Sequence, residues 1–172
     1  MSRSRSMTFL ASVAALPLAV LAVAGCGGAS GSPATPTTKD GRPATIGVAN
    51  EGLRKILDNS QGHTLYVFQK DSGTTSACTG ACAADWPPLR ANGTPKIGSG
   101  VNASLIGTIM RSDGKPQITY NGHPLYLFVK DQKAGDTNGE GLTAFGGSWF
   151  AVSPAGNQVT GQATSPPGGY GY

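Results

Sequence analysis

Residues 62–71 of this 172-residue chain read GHTLYVFQKD, and residues 122–131 read GHPLYLFVKD. Seven of the ten positions agree at an offset of 60, and each copy carries one of the only two histidines, His63 and His123. Cys78 and Cys82 follow the first copy in a CxxxC spacing. Together these four side chains would make a tetrahedral Cys₂His₂ metal site, or the two thiols alone an exchangeable redox pair. Asp71 and Asp131 could act as an acid–base pair if the fold brought them together. Tyr66, Phe68, Tyr126 and Phe128 could form an aromatic platform for a sugar or another ring-bearing ligand.

Each of these chemistries competes with a simpler structural account. The histidines follow turns at equivalent repeat positions, so duplication explains them without a metal. On alternating strand faces, Tyr66, Phe68 and Lys70 oppose His63, Leu65 and Val67, and the second copy divides in the same way. Both faces are apolar in their middle, as in a strand covered on two sides, which makes the aromatic residues core. An aspartate just after a strand accepts backbone N–H groups and pins the turn. The spacing i, i+4 on a helical turn puts cysteine Cα atoms about 6 Å apart, within bridging range. Outside the cytoplasm such a pair is expected as a disulfide. The excursion DQKAGDTNGEG presents Asp136, Asn138 and Glu140 at alternating positions, but the twelfth residue counted from Asp136 is Gly147. A calcium loop of the helix–loop–helix kind needs a carboxylate there, so a tight turn is the better account. There is no GxSxG, no HExxH and no phosphate loop; no catalytic residue, enzyme activity or cofactor is expected.

The N-terminus supplies the address. Arg3 and Arg5 precede an apolar run from Phe9 to Ala24, shorter than the roughly 20 residues that span a bilayer. This pattern describes a secretory signal over residues 1–25. Val23-Ala24-Gly25-Cys26 resembles the bacterial lipobox, which implies that Cys26 is lipidated and heads the mature chain. Two acyl chains hold a protein stably at a membrane surface. The expected location is therefore outside the cell membrane or on its periplasmic face, with the membrane as a partner through the lipid. Loss of Arg3 and Arg5 with the signal lowers the net charge from +4 to +2. The remaining cations are scattered, which argues against nucleic acid. An envelope protein or a glycan is the expected class of further partner.

Residues 26–44 read as a flexible linker and residues 161–172 as a disordered tail. Between them the chain is dense in turn signals. Ser112-Asp113-Gly114 separates GTIMR from QITY, Asn121-Gly122 separates QITY from LYLFV, and Pro154-Ala155-Gly156-Asn157 ends WFAVS. Asn-Gly between apolar runs is a strong hairpin signal. Leu53 to Leu57 reads as a strand or a helical turn, and a short helix is plausible over 76–84. Trp86 follows the first motif and Trp149 the second, which extends the repeat beyond the decapeptide. The expectation is one all-β domain of two antiparallel meander repeats, residues 45–98 and 99–160, related by a pseudo-twofold axis around one core.

Tyr66-Val67-Phe68-Gln69-Lys70-Asp71 and Tyr126-Leu127-Phe128-Val129-Lys130-Asp131 both fit Tyr-x-(Phe/Trp/Tyr)-x-x-Asp. With CTGACAADWPPL in one half and AGDTNGEG before a tryptophan in the other, the chain resembles the secreted-repeat family of bacterial lipoproteins named for that motif. The resemblance runs over roughly residues 45–157. It implies an exported lipoprotein and, the family being one of unknown function, assigns no chemistry. The residue reading itself favours a non-catalytic binding or envelope-associated module. An extracytoplasmic redox or metal-binding protein using Cys78 and Cys82 with His63 or His123 is the alternative.

Overall fold

A computed structural model of the chain describes residues 42–51 and 54–160. The signal, Cys26, most of the linker and the expected tail lie outside these residues. Nine strands, one α-helix and one 3₁₀ turn are found among those described: β1 (Thr45–Glu51), β2 (Arg54–Asp58), β3 (Tyr66–Phe68), α1 (Ala81–Asp85), β4 (Lys96–Ile97), β5 (Ile106–Met110), β6 (Pro116–Tyr120), β7 (His123–Pro124), β8 (Thr143–Ala144) and β9 (Gly147–Ala151). They form three small sheets, ordered β2-β1-β4, β3-β9-β8 and β5-β6-β7. All pairings are antiparallel except β1 with β4.

Each half starts with a hairpin. β1 faces β2 with Gly47 opposite Asp58, and β5 faces β6 with Gly107 opposite Thr119. The Asn121-Gly122 turn then returns the chain to β7, both residues having positive φ (50° and 78°). This is the twist-matched turn that Asn-Gly favours. In the first half the return is longer: Asn59 Oδ1 accepts N–H bonds from Gln61 and His63 at 2.9 and 3.0 Å. The residues at 54–57 are strand, not a helical turn, since they complete the β1 ladder.

The motif strands do not simply continue a meander. Tyr66 and Tyr126 exchange both main-chain N–H···O bonds at 2.9 Å, so the two copies meet at the centre of the molecule. Outside them the halves interleave. Leu89 of the first half donates to Leu125 O and accepts from Ile118 N; Val152 of the second donates to Leu65 O and accepts from Leu57 N. The segment after each tryptophan is thus inserted into the opposite half. This exchange is invisible in a local turn pattern, because turns fix neighbours and not long-range partners.

The alternation of the motif separates two cores where one was expected, because both faces of the paired motif strands are covered. Leu65, Val67, Leu125 and Leu127 join Ile46, Leu57, Leu89, Ile118, Tyr120 and Val152 on one side. Tyr66, Phe68, Tyr126 and Phe128 join both tryptophans, both cysteines and Ile56 on the other. The helix is shorter and later than the 76–84 expected, starting at Ala81 after Gly80, whose φ of 56° lies outside helical geometry. Cys82 is therefore on the helix and Cys78 precedes it.

Candidate functional site

The recurrent residues converge on the pseudo-twofold axis. Phe68, Trp149, Trp86 and Phe128 form one column of stacked rings, with centroid separations of 4.1, 3.8 and 4.1 Å. Trp86 and Trp149 lie within 5° of parallel across the axis. Tyr66 meets Trp86 edge-on at 5.4 Å, and Tyr126 meets Trp149 in the same way at 5.2 Å. All six rings are buried. Such large rings dominate core energetics, and edge contacts add about 1 kcal/mol beyond burial.

The carboxylates close the arrangement reciprocally. Tyr66 Oη donates to Asp131 at 2.7 Å, and Tyr126 Oη donates to Asp71 at 2.7 Å. Each motif tyrosine is therefore bound by the motif aspartate of the other repeat. Asp71 also accepts the Ala77 N–H (2.8 Å) and Asp131 the Asn138 N–H (2.9 Å), so each pins the excursion that follows it. Asp131, 1% exposed, is pushed up to about 7 by burial, against the hydrogen bonds from Tyr66 and Asn138. Burial raises Asp71 too, opposed by its Ala77 and Tyr126 bonds and by the charges of Arg111 and His123. Both tyrosines are raised, first by burial and then by the facing carboxylate for Tyr66.

The two excursions fasten differently. Cys78 and Cys82 form a disulfide with Cα atoms 5.2 Å apart, both buried within the aromatic core. Bonded sulfurs are not thiolate ligands, which removes the Cys₂His₂ set. Among the described residues no three His, Cys, Asp or Glu side chains converge to hold a metal ion. The carboxylates of the second excursion are directed at main-chain N–H groups: Asp136 accepts from Gln132 N and Lys133 N within the excursion, and Glu140 from Ala151 N at the end of β9. Gly139 lies flat on the rings, where a Cβ would come within 2.9 Å of Trp86 and Tyr66.

Sequence reasoning missed Arg111. In the sequence it is only the last residue of GTIMR before a turn, yet it is 5% exposed. Its guanidinium donates to Ser76 Oγ (2.6 Å), Gln117 Oε1 (2.7 Å) and the Cys78 carbonyl (2.6 Å). Ser76 Oγ in turn lies 2.7 Å from Tyr126 Oη. Arg111 thus ties the disulfide-bearing excursion to the Tyr126–Asp71 pair. At the corresponding position of the first half stands Glu51, so repetition gave no signal.

The family model for a secreted repeat of unknown function matches residues 50–90 and 107–153, just over half of the chain. The chain belongs to this family. Both matched segments carry a motif strand and its tryptophan, the residues found on the axis. The secreted-repeat assignment agrees with an exported protein, and no helix of the described residues is long and apolar enough to cross a membrane. No curated protein and no solved structure matches the chain.

Proposed function

We propose that this secreted-repeat protein is a lipid-anchored, non-catalytic module of the bacterial envelope, held at the membrane through Cys26 and acting through its surface. One observation carries the reading. The side chains that recur in both repeats are committed to one another: rings in a buried column, and each carboxylate on the opposing tyrosine. An aromatic ligand groove between the repeats would need those rings open, and they are closed. The burial of the disulfide with them favours a bracing role over thiol–disulfide exchange. Support for the anchor comes from the lipobox-like Val23-Ala24-Gly25-Cys26 and the linker between it and β1.

Cys26→Ser tests the anchor. The expected result is loss of metabolic acyl labelling and transfer of the folded protein from the membrane to the soluble fraction. A labelled variant still bound to membranes would overturn it.

A further inference from the structure

The two hairpins are equivalent, but their outer edges are not. In the first half, Ala44 O and Ile46 O point away from β2 and accept the N–H groups of Lys96 and Gly98, both at 2.8 Å. That is the β1–β4 pairing. In the second half, β5 is the edge of its sheet. Leu105 O accepts Asn121 N, and Arg111 N donates to Lys115 O, which turns residues 105 and 111 towards β6. By the alternation of an antiparallel ladder, the N–H and C=O groups of Ile106, Thr108 and Met110 turn outward. The Ile106 N–H is taken by Ala103 O at the end of the preceding 3₁₀ turn; among the described residues no strand pairs with the remaining groups.

An open edge is usually protected by a charge, a proline or a bulge. Ile106-Gly107-Thr108-Ile109-Met110 has none of these, whereas the β2 edge carries Arg54, Lys55 and Asp58 and β4 carries Lys96. Met110 is the most exposed large apolar side chain among the described residues, at 67%.

We propose that β5 is a self-association edge and that its occupant is β5 of a second copy, antiparallel about a twofold axis at Thr108. The sequence is self-complementary in that register. Thr108 faces its own copy, and Met110 faces Ile106 on the same sheet face, which gives the exposed methionine an apolar cross-strand neighbour. Both main-chain groups of Thr108, the Met110 N–H and the Ile106 C=O would form about four N–H···O bonds. No charge opposes a like charge along the strand. A five-residue strand pair buries far less than the roughly 800 Å² per partner of a stable free complex. The pair therefore forms where chains are concentrated, as when they share one membrane surface. Only that concentration rests on the anchoring proposed above; the register of the pair does not.

Full-length Thr108→Cys, in membranes under mild oxidation, tests the pairing. Facing Cα atoms in a hydrogen-bonded antiparallel pair lie about 5.5 Å apart, within disulfide range. The expected product is a covalent homodimer. It should be lost when Met110→Lys is added, and Lys55→Cys on the charged β2 edge should not give it. A monomer, equal cross-linking at Lys55→Cys, or a cross-link to a different protein overturns the second-copy assignment. The same experiment in the Cys26→Ser background separates the two proposals. If only the anchoring is wrong, the purified Cys26→Ser chain still gives the homodimer when it is concentrated; if only the pairing is wrong, concentrated and membrane-bound chains alike give none.

Discussion

The excursion at 72–85 and the excursion at 132–148 do the same work with different materials. Each leaves a motif aspartate, covers the stacked rings and delivers a tryptophan to the axis. The first uses a helix, a disulfide and a buried arginine on the Cys78 carbonyl. The second uses a backbone turn closed by Asp136 and a tie from Glu140 to the Ala151 N–H of β9, with Gly139 against the aromatic column. What must be conserved between halves is therefore the axis, and the fastening around it is free to differ. A covalent brace suits the first excursion because it lacks the dense Asp, Asn and Glu of the second.

If the axis is shared equally, Trp86→Ala and Trp149→Ala should be equally damaging, at about 3–5 kcal/mol each in chemical denaturation with the disulfide intact. A much smaller loss at Trp86 would mean that the disulfide side compensates and that the axis is not symmetric in energy.

The carboxylates should distinguish the halves next. Asp131 has a folded value of about 7 against 3.8 ordinarily, so the native state binds its proton more tightly. Its contribution is full below about pH 4 and is lost as pH rises through about 7. The difference corresponds to about 4 kcal/mol. Stability should therefore fall between pH 4 and pH 8, and Asp131→Asn should flatten most of that slope. Asp71→Asn should flatten less, because Arg111 and His123 favour its charged form. Equal slopes from both variants would erase the distinction. Asp113, held at about 2 chiefly by its hydrogen bond from Arg90, titrates below this window.

The smallest effect is expected from the brace itself. Cys78→Ser with Cys82→Ser closes no loop in the unfolded chain and should cost about 2 kcal/mol. The Trp86–Trp149 near-ultraviolet dichroism should persist. Its disappearance would show that the disulfide positions the axis, and does not merely stabilise it.

Much of this arrangement was legible in the sequence. The alternation in LYVF and LYLF separates the two cores correctly because side-chain period is a local property of a strand. Asn121-Gly122 and Ser112-Asp113-Gly114 placed their turns for the same reason, and the cysteine spacing gave the bridge. What stayed hidden is long-range. Nothing local says that Tyr66 binds Asp131 rather than Asp71, a choice spanning 65 residues. Nor does any pattern place Arg111 inside, since its burial depends on Ser76, Gln117 and Cys78 arriving from three different segments.

The exchange of the post-tryptophan segments also sets an order of events. In chain order β2 and Leu65, joined directly by the Leu65 N–H to Leu57 O, come well before Val152, which bonds to both. The first half is therefore made without one of its main-chain partners, which no segment of that half supplies. Because so many of its decisive contacts are distant in sequence, the domain belongs among slow folders. Folding can finish only once the segment around Val152 is available, so assembly waits for the second repeat and is not completed by the first.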